Sequence, residues 1–282
     1  PTEIPQLSTD FLGKWKSLSK EEIAFEVMKP FVSNCIHDED LFKIITETVH
    51  FDFPLIQVEE GIFTLELFHG PTAAFKDVGA RFMSRCLSYF ARDRKQKTTI
   101  LVATSGDTGG AVADAFYEVE GVEVIILFPS KKVSKLQELQ LTTYGKNISA
   151  LEIKGTFDDC QTMVKQAFAD PDLQKKFSFS SANSINIARW LSQQFYYFYA
   201  LQQWSNSTSP VISVPSGNFG NICAGLMALK SGLLIDTFIA ACNENDVFTQ
   251  YLETGSFHEK KAIQTISNAM DVGNPSNFNR VL

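Results

Sequence analysis

The sequence has no apolar run near the roughly 18 residues that a membrane-crossing helix needs, and no basic-then-apolar segment opens it. A membrane span and a secretory leader are therefore both unexpected, and the reading is a soluble, cytoplasmic protein. Positive charge is scarce as well: 25 Lys and Arg stand against 32 Asp and Glu, for a net charge of -7. A protein that grips phosphodiester backbones needs clustered Lys and Arg, so nucleic acid is excluded as the main partner. The one dense basic stretch, residues 92–97, follows an apolar helical pattern and reads as a solvated helix end. Cysteines are few. Cys35, Cys86, Cys160, Cys223 and Cys242 form no CxxC pair and have no ligand-like spacing to His37, His50, His69 or His258. Free thiols in a reducing compartment, and no metal site, are the expectation. The dinucleotide fingerprint GxGxxG and the P-loop GxxxxGK[ST] are missing too, which disfavours nucleotide binding. So is an initiator Met: the chain opens at Pro1 and stops at Leu282 without a closing element, and both ends are expected to be incomplete.

What is present suits a globular chain of one large domain or two ordinary ones. Of 282 residues, 44% are hydrophobic and 20% charged, and 24 Phe point to an aromatic interior. Strand-like runs rich in Val, Ile and Thr recur at residues 98–103, 122–128, 148–153, 211–214 and 237–241. Helical patterns follow or separate them at residues 79–90, 111–117, 158–168, 187–203 and 221–229, the last ended by Gly232. Such alternation predicts an α/β fold with mostly parallel sheets covered by helices on both faces. The polar stretch 205–210 is the best linker candidate. Phe195, Tyr196, Tyr197, Phe198 and Tyr199 lie mid-helix without flanking basic residues and read as core or subunit interface.

Three segments carry chemistry. TTILVA runs into Thr104-Ser105-Gly106-Asp107-Thr108-Gly109-Gly110 and a helix; VISV runs into Pro215-Ser216-Gly217-Asn218-Phe219-Gly220-Asn221 and a helix. Each is a strand, a glycine turn and a helix start, where free amides and the positive end of the helix dipole favour an anion. The third is His69-Gly70-Pro71-Thr72-Ala73-Ala74-Phe75-Lys76-Asp77, after a strand-like 64–68 and before a helix. A lysine in this apolar surrounding, just ahead of a helix start, is expected to be desolvated and uncharged, hence able to form a Schiff base and shuttle protons.

Together HGPTAAFKD, TSGDTGG, SANSINIAR and PSGNFGN, in this order, resemble the signature segments of the threonine synthase family, pyridoxal 5'-phosphate enzymes of fold type II. The resemblance runs from about Leu67 to Asp271 and takes in SNAMDVGNPSN. It implies that Lys76 carries the cofactor and that Gly217, Asn218, Phe219, Gly220 and Asn221 wrap its phosphate. It implies that Thr104, Ser105 and Thr108 contact the substrate, and that Asn183, Ser184 and Arg189 grip the substrate phosphate. Asp107 is a departure, since some relatives carry Asn there facing the cofactor ring hydroxyl. The implied reaction converts O-phosphohomoserine and water to threonine and phosphate, in a monomer or homodimer. The implied architecture has two open, mostly parallel sheets: a large cofactor-binding domain over 1–77 and 190–282, and a small mobile domain inserted over 78–189. The alternatives are another enzyme of this fold, such as a threonine dehydratase or cysteine synthase, an inactive cofactor-binding paralogue, or a nucleotide-binding module using the two anion loops.

Overall fold

The computed structural model describes residues 3–92, 96–104 and 106–281. Its strands, in chain order, are β1 (Leu55–Glu59), β2 (Ile62–Leu65), β3 (Thr98–Ala103), β4 (Val122–Pro129), β5 (Ile148–Ile153), β6 (Ser178–Ser181), β7 (Val211–Pro215) and β8 (Thr237–Ala241). They belong to two compact units, Pro1–Glu66 with Trp190–Leu282, and Leu67–Arg189.

In the Leu67–Arg189 unit the strands run parallel in the order β5-β4-β3-β6. Every residue of β3 is buried, as a strand covered on both faces requires. Its side chains alternate between two cores. Ile100 and Val102 join Val124, Ile126 and Phe128 beneath Ala80 and Met83 of the helix Asp77–Ala91 and Ala111, Ala115 and Phe116 of the helix Asp107–Phe116. Leu101, Ala103 and Leu127 pack on Cys160 and Val164 of the helix Phe157–Ala169 on the opposite face. Helix starts are coded locally: Ser134 with Gln137 and Thr156 with Asp159 form reciprocal capping boxes. Because β4 and β5 lie on one side of β3 and β6 on the other, the chain diverges at the carboxyl ends of β3 and β6. Open α/β sheets bind ligands at such a crossing. The lysine segment belongs to this unit, whose core takes Ala80 and Met83 from the helix that follows Lys76.

The other unit holds the antiparallel pair β1–β2, the parallel pair β7–β8 and four main helices, Lys20–Val32, Asp38–Thr48, Gln194–Gln203 and Gly220–Lys230. The aromatic run is core: Phe195 and Phe198 are fully buried, Tyr199 stacks on Phe53 at 5.0 Å, and Trp15 meets Phe198 edge-on at 5.5 Å.

Two expectations change. The single helix over 187–203 is two, Ile187–Leu191 and Gln194–Gln203, because hydrogen bonds between them span three residues instead of four, as from Gln193 N to Trp190 O (3.0 Å) and Phe195 N to Ser192 O (3.2 Å). The strand expected over 64–68 stops at Leu65. Its partner Leu55 follows Pro54, which has no N–H to extend the ladder.

Candidate active site

Lys76 caps the helix Asp77–Ala91, at the end of a short irregular loop in which Ala73 adopts a left-handed φ of 55°. Its Nζ lies 2.6 Å from Asp107 Oδ2 and 5.0 Å from the centre of the Phe75 ring. The two charged side chains are only 16% and 20% exposed. The amine is thus set against a carboxylate in a partly buried place. The partner comes from 31 residues along the chain, which the strand–turn–helix path through β3 folds back beside the lysine. Asp107 is itself held. It opens the helix Asp107–Phe116, where the dipole favours an acid, and its Oδ1 accepts from the Thr108 amide at 2.9 Å.

The loop between β3 and that helix is shaped by Thr104, which is 1% exposed. Its Oγ1 accepts from the amides of Gly106 (2.9 Å) and Gly109 (2.8 Å), so the hydroxyl is engaged in forming the turn. Thr108 is half-buried on the first turn of the helix. Ser105 lies outside the described residues.

At the end of β6, Asn183 donates from Nδ2 to Ala103 O (2.8 Å) and accepts at Oδ1 from Ala103 N (3.2 Å). Ser184 is half-buried. Arg189 is 2% exposed and its guanidinium donates to Ala182 O, which ties it to its own segment. The structure thus brings the Thr104–Thr108 loop and the Asn183 segment to the carboxyl ends of adjacent strands. Asn183 and Thr104 serve the backbone there.

In the other unit, Ser216 N bonds Ala241 O at 2.8 Å and Phe219, with a left-handed φ of 61°, caps the helix Gly220–Lys230. A non-glycine residue in that conformation is uncommon and marks a turn held by its surroundings. Phe219 is 2% exposed and packs on Phe248 at 4.9 Å. Asn218 Oδ1 accepts from Ser276 N (2.6 Å) and Ser276 Oγ (3.0 Å), and Asn277, fully buried, donates to Asn218 O at 3.0 Å. Asn221 Nδ2 donates to Pro215 O at 2.6 Å. A Cβ on Gly217 would stand 2.7 Å from Met270 Cα, so the turn 267–271 presses directly on the glycine.

A family model described as pyridoxal-phosphate dependent enzyme matches residues 46–282, and one described as threonine synthase N terminus matches residues 1–49. The chain belongs to the pyridoxal-phosphate dependent enzyme family. It is 45% identical to a threonine synthase of Buchnera aphidicola over all of its own length and 66% of that protein's. A crystal structure of threonine synthase from Escherichia coli superposes with a TM-score of 0.94 at 44% identity, covering 100% of this chain and 66% of the other. The structure of pyridoxal-phosphate-bound threonine synthase from Brucella melitensis gives 0.92 at 39% identity, covering 100% and 62%. The chain thus spans just under two thirds of the length of these relatives.

The residues present fit the cofactor of this family. With the Asn218 and Asn221 side chains turned to the protein, the 217–221 turn offers a helix start for a phosphate dianion, with the positive end of an 11-residue helix behind it. Lys76 supplies an amine on a short loop, which an aldehyde requires. Among the described residues no group of three or more His, Cys, Asp or Glu side chains could hold a metal ion. The motifs contain residues to which the sequence argument assigned no part: Thr72 and Asp77 flanking the lysine loop, and Met270, Ser276 and Asn277 behind the glycine turn. Thr72 and Asp77 stand inside the quoted lysine motif, so their spacing across a helix start was a readable signal; the last three stand inside SNAMDVGNPSN, but nothing in the sequence links that segment to Gly217, 53 to 60 residues before them.

Proposed function

We propose that this chain is the greater part of a threonine synthase, converting O-phosphohomoserine and water to L-threonine and phosphate with pyridoxal 5'-phosphate. The observation that carries the reading is Lys76, 2.6 Å from Asp107 of the loop that ends β3, in a chain 45% identical to a named threonine synthase along its whole length.

In this reading Lys76 holds the cofactor covalently, and the turn Gly217, Asn218, Phe219, Gly220 and Asn221 receives the cofactor phosphate at its helix start. Asp107 orients the Lys76 amine when it is free of the cofactor and, by the resemblance, faces the cofactor ring hydroxyl. Thr104, Ser105 and Thr108 are the polar contacts for the substrate, with Thr104 also shaping the turn. Ser184 and Arg189 bind the substrate phosphate, with Asn183 fixing their segment to β3. When bound, the cofactor supplies an electron sink for charge developing at the substrate α carbon. Lys76 Nζ is the base that takes protons from Cα and then Cβ and returns them. Phosphate leaves from Cγ and water adds at Cβ, which balances the reaction.

The compact unit Leu67–Arg189, with its own sheet and cores, supports the idea of a small mobile domain over residues 78–189. Five unpaired cysteines support a reducing, cytoplasmic location. Among the described residues no helix is long and apolar enough to cross a membrane. A small-molecule substrate, a monomeric or homodimeric state and the lack of nucleic-acid or membrane partners complete the reading.

The test is direct. The full-length protein is treated with pyridoxal phosphate and borohydride, the reduced adduct is mapped, and phosphate release from O-phosphohomoserine is compared with ammonia release from threonine. An adduct on Lys76 with phosphate release supports the reading. An adduct elsewhere refutes the lysine assignment, and ammonia release without phosphate release points to a dehydratase.

A further inference from the structure

We infer that Asp77 is the positioning residue for Lys76: with Thr72 it closes a six-residue loop that aims the lysine amine. The inference rests on the proposed function, because only there does the aim of Lys76 matter. Asp77 is 1% exposed and Thr72 8% exposed. One carboxylate oxygen of Asp77 accepts from the Thr72 amide at 3.0 Å and the other accepts from the Thr72 hydroxyl. The first-turn acid of the helix therefore reaches back five residues across the lysine instead of capping its own helix.

The rest of the loop depends on this tie. Between its ends, Ala73 takes a left-handed φ of 55°, which a residue with a Cβ adopts only when its surroundings impose it. Ala73 N bonds Gly70 O at 3.1 Å, Asp77 N bonds Ala74 O at 3.0 Å, and Gln140 Nε2 reaches Thr72 O at 3.4 Å. Asp77 joins the far end of the loop to the start of the helix through two side-chain bonds. Burying a carboxylate is costly, and it is tolerated when hydrogen bonds satisfy it. What this carboxylate secures is the segment from which Lys76 projects toward Asp107. A displacement of about 1 Å in a reacting group can cost on the order of a hundredfold in rate.

The experiment compares the full-length wild-type protein with Asp77→Ala, Asp77→Asn and Thr72→Val. Three quantities are read: the rate at which pyridoxal phosphate forms a borohydride-fixed adduct on Lys76, the kcat and KM for phosphate release, and the melting temperature without cofactor. Asp77→Ala should slow adduct formation by about tenfold or more and lower kcat with KM little changed, the signature of a misaimed reacting group. Asp77→Asn keeps an acceptor for the Thr72 amide and offers a donor to the Thr72 hydroxyl, so it should recover to within about threefold of wild type. Thr72→Val keeps the amide bond and loses the hydroxyl bond, and should fall between them. If Asp77→Ala does not fold, Thr72→Val carries the test, and a wild-type adduct rate in it overturns the inference. A lower melting temperature with unchanged adduct rate and kcat also overturns it, since that is a structural role only. If instead the wild-type adduct maps away from Lys76, it is the proposed function that fails, and the two failures are told apart by the wild-type protein alone.

Discussion

Asn183 and Ala103 pair through a side chain where a strand would pair through backbone: the amide group gives and takes one bond each with Ala103, two residues past the last register pair, Leu101 with Ser181. The β3–β6 ladder is thus prolonged to the mouth of the proposed site by one asparagine. Asn183→Ala leaves the Ala103 amide and carbonyl without these partners, and should destabilise the protein by about 1–3 kcal/mol. Urea denaturation measures it, and an unchanged midpoint would show that the pairing carries no load.

Lys76→Ala should abolish the borohydride-fixed adduct and leave no phosphate release above the uncatalysed rate, because no other amine stands on that loop. Adduct mapping by mass spectrometry and a phosphate assay check it. Substantial residual turnover refutes the role given to the lysine.

Gly109 stands where the helix Asp107–Phe116 meets its own loop, and a Cβ there would lie 2.5 Å from Leu141 Cδ2 and 2.6 Å from Thr104 Cγ2. Gly109→Ala should cost about 1–3 kcal/mol through overpacking and disturb the Thr104 turn. The expected outcome is a lower melting temperature together with a raised KM for the phosphorylated substrate. A KM that stays constant while stability falls would separate the turn from substrate binding.

Phe219 tests strain against packing. Phe219→Gly relieves the left-handed backbone, worth about 1 kcal/mol, and removes a buried ring in contact with Phe248, worth about 3–5 kcal/mol by analogy with large-to-small core changes. Packing wins, so the variant should be less stable than wild type. Equal or greater stability in chemical denaturation would reverse that ranking.

Asp77 also sets a pH dependence. Burial pushes its carboxyl above the usual range, with Asp114 acting in the same direction, while the Thr72 bonds pull it partly back. A raised folded-state pKa means that the folded protein binds the proton more tightly than the unfolded chain. The stabilising contribution is then complete below the ordinary value of 3.8 and is lost as the pH rises through the higher folded value. Relative to Asp77→Asn, wild type should therefore gain stability as the pH is lowered toward 3.8. Urea midpoints for the two proteins across that range check the sign, and a constant difference between them would remove Asp77 as its source.

The parallel architecture was legible because it rests on local rules. A continuous apolar strand such as residues 98–103 must be covered on both faces, and a glycine turn before a helix is readable as a place where free amides favour an anion. The break at residues 192–193 escaped because the apolar pattern runs through it without a glycine or proline. The short strand β6, Ser-Phe-Ser-Ser, lacks an apolar run, and only pairing with β3 makes it a strand. The partner of Lys76 was hidden for a related reason: its neighbours in sequence are apolar, whereas its neighbour in space is Asp107.

Patterning and motif order were enough to establish that this is an α/β protein and to single out one lysine before a helix and two glycine turns at helix starts. Those properties follow from steric and dipolar effects confined to a few consecutive residues. Which groups surround that amine is another matter. The pairing of Lys76 with Asp107, the reach of Asp77 to Thr72 across the loop and the pressure of Met270 on Gly217 depend on where distant segments meet. Their positions result from burying two cores on either face of β3 and from packing the 267–271 turn, and a one-dimensional pattern does not encode such distances.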